Sequence, residues 1–441
     1  MFQPARLFLT FSTIGVVAGL SKIHAASNGY DFTGSSRFAW AIAYILVLLT
    51  TAYSFGLPEL PRSWRSAFAA SALATGCAAL AVSFLQLLTG DALLPRFVVF
   101  GTALCLDVVY PVASMLAKDR RDRAEQRDRV LLVSSNAAED ARALQCELDG
   151  PCEKPAHVVG AMTIDEAALR TSPLPLSRRA AELGATVIVL DRQAQADDEI
   201  VAQTTCLHEK GLRVRSLSLF YDEWLGKLPV TELLRTSLFF DIGSLHRERY
   251  ARLKRVLDLA IASLGMTFFL LVTPFVLIGN MVGNRGPLFY RQVRVGEGGF
   301  QFSILKFRTM RPGNGSQSNE WTTEDDPRIT PFGHFLRRSH LDEVPQMVNI
   351  VRGQLSIVGP RPEQPRYVQE LAAKLPFYDL RHLAKPGLTG WAQVKYGYAG
   401  SESDAIEKLQ YEFYYLRHQG LMLDLRVVGR TFRSVFQRSG R

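Results

Sequence analysis

The sequence predicts an α/β membrane protein: an N-terminal four-helix transmembrane bundle, a degenerate Rossmann-like α/β domain, and a C-terminal, mostly helical domain carrying a re-entrant membrane helix hairpin. Three observations carry this reading. Apolar residues are concentrated in four long runs within residues 1–117, strand-like and helix-like segments alternate through 118–245, and a fifth apolar run within 246–441 has basic residues on both flanks.

The chain has 441 residues, 47% of them hydrophobic, and a formal net charge of +9. Its mean hydropathy near zero averages unlike parts. The runs Leu7 to Leu20, Phe38 to Phe55, Phe68 to Leu88 and Phe97 to Leu116 approach the roughly 20 residues that span a bilayer. No small-residue cleavage site comes after the first, and three more runs succeed it, so it reads as a retained anchor rather than a signal peptide. The segment from Lys118 to Arg129 is densely basic, and Arg62 and Arg65 lie two crossings earlier, which places both loops in the cytoplasm. Basic residues cluster beside apolar segments without aromatic stacking motifs, which argues against nucleic acid and for anionic lipid and nucleotide phosphates. The five cysteines have no metal or redox spacing and read as free thiols. Asp107, inside the fourth run, reads as a polar contact within the bundle.

In the middle of the chain Arg129 to Val133 and Thr186 to Asp191 read as buried strands, and Ala138 to Leu148 and Ile200 to Lys210 as helices. Such alternation implies a small doubly wound domain. A dinucleotide site needs G-x-G-x-x-G after the first strand, whereas the turn here is Ser134-Ser135-Asn136-Ala137-Ala138. The domain is therefore expected to be structural or regulatory.

The fifth run, Val256 to Val282, is long enough to cross. Arg247, Arg249, Arg252, Lys254 and Arg255 precede it, and Arg285, Arg291 and Arg294 come after it, so a crossing would export one basic cluster. Thr273-Pro274 supplies a breaking point, because proline lacks the amide and its ring clashes with the preceding turn. A hairpin over about 256–282 satisfies both features and keeps the downstream residues in the cytosol; a kinked span is the alternative.

Downstream, Val344, Met347, Val348 and Val351 recur at helical spacing and Gly353 stops the helix, which puts Asp342 and Glu343 in its first turn. Acidic residues there ordinarily cap a helix. The same turn's free amides suit an anion, and cations recur nearby at Arg291, Arg294, Lys306, Arg308, Arg328, Arg337, Arg338 and Arg361, a cradle for a diphosphate. Asp325-Asp326 offers a competing metal-binding pair of a nucleotide-sugar glycosyltransferase. Trp391 to Tyr398 reads as a small β element, Asp404 to His418 as a helix, and Leu421 to Phe436 as an amphipathic helix for the membrane surface or the domain.

Five motifs stand in order between Arg249 and Gln437: Lys306-Phe307-Arg308-Thr309-Met310, Asp326-Pro327-Arg328-Ile329-Thr330, Leu341-Asp342-Glu343-Val344-Pro345-Gln346, Gly359-Pro360-Arg361-Pro362 and Lys385-Pro386-Gly387-Leu388-Thr389-Gly390-Trp391. In these the chain resembles the bacterial sugar transferases, monotopic polyprenyl-phosphate phosphoglycosyl transferases, in the large subclass with four N-terminal transmembrane helices. The resemblance implies transfer of a sugar 1-phosphate from a UDP-sugar to undecaprenyl phosphate with release of UMP, the first membrane step of exopolysaccharide, capsule or O-antigen synthesis, at the cytosolic face of the bacterial inner membrane and among its lipids. It assigns Asp342 as the nucleophile that carries the phosphosugar and Glu343 as the ligand of Mg2+. Lys306, Arg308, Arg337 and Arg361 are assigned to substrate phosphates or support of the dyad, Gly359 and Pro360 to the nucleotide pocket, and Thr273-Pro274 to the hairpin break, where the family commonly has Ser-Pro. A homodimer is left open, and the sugar is not legible. Two other readings stand beside this one: a membrane-bound glycosyltransferase that uses Asp325-Asp326 and releases UDP, and a catalytically inactive membrane-tethered regulatory module.

Overall fold

The computed structural model describes residues 4–437 except 59–60, 62, 90–93, 126–127, 151, 170–173, 230–246, 285, 312–327, 376 and 397–401. Arg62, Arg285, Asp325 and Asp326 therefore lie outside the described residues. Contacts group the chain into two compact units, Met1–Leu225 with Val428–Arg433, and Gly226–Val427 with Ser434–Arg441.

In the first unit four helices, α1 (Pro4–Asn28), α2 (Ser36–Ser54), α3 (Trp64–Thr89) and α4 (Arg96–Glu125), pack as α1 on α2, α2 on α3, α3 on α4 and α4 on α1. Small residues allow the close approach: Ala41, Ala52, Ala70, Ala74 and Ala78 line the interior with Tyr44 and Leu48. The outward side chains are apolar as well, with Leu80 and Leu104 71% and 74% exposed. An apolar core beneath an apolar surface suits lipid, where backbone polar groups are satisfied within each helix. These four helices and one in the second unit are long and apolar enough to cross a membrane, which marks a membrane protein. Asp107 makes the contact expected of it, accepting from Ser71 Oγ at 2.8 Å and Thr75 Oγ1 at 2.9 Å.

The same unit holds a parallel sheet. Its strands are β1 (Arg129–Val133), β2 (His157–Met162), β3 (Val187–Leu190) and β4 (Arg213–Ser216), in the order β2-β1-β3-β4. Between them run α5 (Ala137–Asp149), α6 (Ile164–Ala167), α7 (Pro175–Leu183) and α8 (Asp198–Glu209), and α9 (Leu217–Phe220) comes after the last strand. The central strands β1 and β3 are apolar and nearly all buried, whereas the edge strands β2 and β4 are mostly half-buried, which is why only the central pair shows in the hydropathy pattern. Ligands of such sheets bind where the strand order reverses, here between β1 and β3. Asp191 occupies that place itself: its carboxylate accepts from the Ser135 amide at 2.9 Å and the Ala194 amide at 2.7 Å. The Ser135 amide, in the turn after β1, is thus engaged by a carboxylate.

The second unit is organised along α10 (Arg247–Gly283). This helix runs unbroken through Thr273-Pro274, in place of the two segments expected on either side of a break. Pro274 supplies no amide to the Leu270 carbonyl one turn before it, and Thr273 Oγ1 donates to the Phe269 carbonyl at 2.6 Å, a back-bond that bends a helix rather than ending it. One face of α10 is packed along its length. Arg255 donates to the Ile350 and Val351 carbonyls, Gly265 lies under Met347, Phe269 and Val276 are buried, and Gly279 and Gly283 lie under Phe332. On the other face Leu271 is 74% and Val282 81% exposed.

Around α10 stand an antiparallel hairpin of β5 (Phe289–Val295) and β6 (Gln301–Phe307), helices α11 (Pro331–Arg338) and α12 (Met347–Val351), and the parallel pair β7 (Ser356–Val358) and β8 (Gly387–Thr389). The remaining helices are α13 (Pro365–Lys374), α14 (Trp391–Lys395), α15 (Glu402–Arg417) and α16 (Leu421–Gln437). Trp391 to Lys395 is thus helical, and the β element lies just before it; the aromatic residues suggested a strand, but Trp391 is the buried anchor of a helical turn. Trp391 Nε1 donates to the Gly226 carbonyl at 2.8 Å, Lys227 pairs with Glu407 at 2.6 Å, and Leu228 is buried in the apolar core of this unit. Residues 226–228, assigned from sequence to the α/β domain, therefore pack with the second unit.

Candidate active site

The acidic pair lies on a tighter helix than its spacing suggests. Leu341–Gln346 is a 3₁₀ turn, entered through His340 in the left-handed region at φ 54°, and α12 continues directly from it. Leu341, Val344 and Val348 pack with Phe269, Phe307 and Leu336, so the apolar side of the turn is held against α10. Asn349 sets its register. Its amide accepts from the Leu305 N–H at 3.0 Å and donates to the Ser303 carbonyl at 2.8 Å, standing in for a neighbouring strand on the open edge of β6. This pairing brings Lys306 opposite Glu343.

Lys306 Nζ lies 2.6 Å from Glu343 Oε1, and Arg361 Nη2 lies 3.5 Å from the same oxygen. The two carboxyl groups are driven apart electrostatically. Burial, and then the neighbouring Glu343 charge, raise the Asp342 pKa, opposed by Lys306, Arg337 and His340. Burial would raise Glu343 too, but Lys306 and Arg361 outweigh it and hold this carboxyl ionised well below the usual range. Both of these cation contacts fall on Oε1, and among the described residues no third acidic, histidine or cysteine side chain joins the pair. Such a donor set fits a Mg2+ ion that takes its other ligands from substrate phosphates and water, its usual arrangement.

Arg337 Nε donates to Thr309 Oγ1 at 3.0 Å and acts electrostatically on Asp342. Lys306, Arg337 and Arg361 thus converge on the pair. Arg308 does not, contrary to its assignment beside Lys306: it is 7% exposed, and its guanidinium donates to the Asn284 carbonyl and lies 3.5 Å from Asn280 Oδ1. It serves the C-terminal end of α10, where a cation meets unsatisfied carbonyls favourably. Arg294 likewise turns to the backbone, donating to the Pro362 carbonyl at 3.1 Å. Gly359 is pressed against Lys385, Gly387 and Gly390 so closely that a Cβ would strike backbone atoms. Gly359, Pro360 and Arg361 line a small cavity with Gly390, Trp391 and Glu412. Sequence reasoning missed Asn349, Asp258, which accepts from the Ile357 N–H at 3.0 Å, and the Arg381–Glu412 pair. All are polar residues buried by tertiary partners, and no local periodicity announces such a position.

A chain with apolar helices, a basic cradle and a split acidic pair beside one such helix has the features of a membrane-associated group-transfer protein. The profile of the bacterial sugar transferase family matches residues 249–438. The chain is 37% identical over 188 residues to the UDP-N-acetylgalactosamine-undecaprenyl-phosphate N-acetylgalactosaminephosphotransferase of Aeromonas hydrophila, covering 42% of this chain and 44% of that protein. It is 36% identical over 214 residues to the UDP-glucose:undecaprenyl-phosphate glucose-1-phosphate transferase of Xanthomonas campestris pv. campestris, covering 47% and 42%. To the Caulobacter vibrioides protein of the same name it is 35% identical over 195 residues, covering 44% of this chain and 73% of that one. The chain spans less than half the length of the first two and nearly three quarters of the third. It belongs to the bacterial sugar transferase family.

Proposed function

We propose that the chain transfers a sugar 1-phosphate from a UDP-sugar to undecaprenyl phosphate, with release of UMP, by double displacement at Asp342. The observation that carries this is the split pair: one carboxylate desolvated and the other locked to Lys306 and Arg361, on a turn packed against an apolar helix. The names of the relatives supply the substrates. In the first step an Asp342 oxygen bonds to the β-phosphorus, and the bond from that phosphorus to the bridging oxygen breaks, its electron pair leaving with UMP. In the second, a phosphate oxygen of undecaprenyl phosphate bonds to the same phosphorus and the aspartyl oxygen leaves, restoring the carboxylate. Covalent catalysis of this kind lets the soluble and lipid substrates use the site in turn. Lys306 orients Glu343, and Arg361 and Arg337 offer charge to the diphosphate. Mg2+, held by Glu343, would neutralise phosphate charge so that an anionic nucleophile can approach.

The proposed setting is the cytosolic face of the bacterial inner membrane, with residues 1–117 as a transmembrane bundle, 118–225 as a module without a dinucleotide site, and the residues from Gly226 onward as the catalytic domain. In support of a course that does not cross, basic residues flank the apolar run on both sides, and α10, continuous through Thr273-Pro274, is packed on one face from Arg255 to Gly283 while its other face is apolar and exposed. The product would enter exopolysaccharide, capsule or O-antigen assembly. The test incubates the chain with undecaprenyl phosphate and a panel of UDP-sugars and identifies the released nucleotide. UMP release that is abolished in Asp342→Asn, with a phosphosugar adduct trapped on the wild-type chain alone, is the expected result; UDP release, or turnover by Asp342→Asn, overturns it.

A further inference from the structure

Arg361 lies between two prolines, and neither Pro360 nor Pro362 has an amide N–H. A turn so built cannot be held by a regular ladder, and each of its carbonyls is met from outside. Pro360 accepts from the Gly387 N–H at 2.9 Å, Arg361 from Arg381 Nη2 at 2.9 Å, and Pro362 from Arg294 Nη1 at 3.1 Å. Arg381 is 4% exposed, and every arm of its guanidinium is engaged. Nε and Nη2 donate to Glu412 at 2.8 and 2.6 Å, and Nη1 donates to the Tyr378 hydroxyl at 2.7 Å. Glu412 itself is 5% exposed. Burying two charges is costly, and well-packed apolar residues often hold a core equally well. An apolar pair, however, would offer no donor to the Arg361 carbonyl.

We propose that Arg381, locked by Glu412, is a positioning residue: it fixes the Arg361 backbone so that the exposed Arg361 guanidinium points to Glu343 and to the substrate diphosphate. The inference rests on the phosphotransfer reading above and deepens it by naming what aims the phosphate-binding arginine. The guanidinium fork is essential to the role. A lysine at this position keeps the charge, but its single ammonium cannot reproduce the planar fork that serves both Glu412 oxygens and the carbonyl.

The test is a double-mutant cycle on the full chain in lipid, read as UMP release with varied UDP-sugar. Arg381→Lys is expected to lower kcat/KM by about ten- to a hundredfold, as misplacement of a binding group does. In an Arg361→Ala background the same change is expected to cost less than about twofold, because its effect passes through Arg361. General loosening of the fold would lower activity in both backgrounds. Wild-type rates in Arg381→Lys, or losses that multiply, overturn the proposal. The charge-free pair Arg381→Met with Glu412→Met is expected to keep the thermal midpoint and lose the activity; retained activity overturns the proposal, and if this pair does not fold, the lysine cycle decides. A wild-type chain that releases no UMP from any UDP-sugar defeats the phosphotransfer reading itself, whereas wild-type turnover with multiplying losses defeats only the positioning role.

Discussion

Adjacent residues in this site answer protons oppositely. Asp342 has its folded pKa above the unfolded value, so the stability it lends is present at low pH and is lost as pH rises through the folded pKa. At neutral pH its charge is a burden on the fold. Glu343 has its folded pKa below the unfolded value, so its contribution is present above the ordinary glutamate range and lost as pH falls through the folded pKa. Asp342→Asn should therefore raise the thermal midpoint at pH 7 while abolishing turnover. Glu343→Gln should lower the midpoint, at a cost of about 1–3 kcal/mol of stability, because Lys306 is left without its counter-charge. Equal shifts in thermal melts would contradict the split. The pair was legible in sequence because acidic residues before an apolar helical run are conspicuous. Arg308 takes its expected role from the motif it shares with Lys306, and a motif does not say whether a guanidinium faces a ligand or, as here, a helix end.

Among the elements, the 3₁₀ turn and the strand it faces depend on one another through Asn349. Replacing Asn349 by alanine removes its bonds to the Leu305 N–H and the Ser303 carbonyl on the part-exposed edge of β6, at about 0.5–1.5 kcal/mol for each. Amide exchange at Leu305 should quicken and activity should fall with it; unchanged exchange would show that the bracket is dispensable. Asn349→Asp makes a finer probe, since it can still accept from Leu305 but, ionised, cannot donate to Ser303. The helices of the C-terminal region were readable from their period. The hairpin of β5 and β6 was not, because Arg291 and Arg294 hide its alternation. The pair β7 and β8 escaped because three-residue strands joined across about 30 positions leave no local pattern. The interlocking of Gly359 with Gly387 and Gly390 explains why glycines recur in two of the distant motifs.

For the whole molecule the decisive question is the course of α10. Single cysteines at Arg252 and Arg291, labelled in sealed inverted vesicles by a membrane-impermeant reagent, should react from the same side. Reaction from opposite sides would put the acidic pair across the membrane from the flank that precedes the helix and would end the cytosolic reading. The broad plan was legible because lipid-facing and core-facing runs are extreme in composition; the seam between the units was not, since it depends on where individual side chains dock. That seam bears on how the protein can be cut. A fragment starting at 247 would begin neatly at a helix, yet it would leave the Trp391 indole without the Gly226 acceptor, Glu407 without Lys227 and the core without Leu228. A fragment starting at Gly226 should melt higher than one starting at Arg247, as a detergent thermal-shift comparison would show. Residues 226–228, which the sequence places in the α/β domain, are the keystone to keep in any minimal fragment.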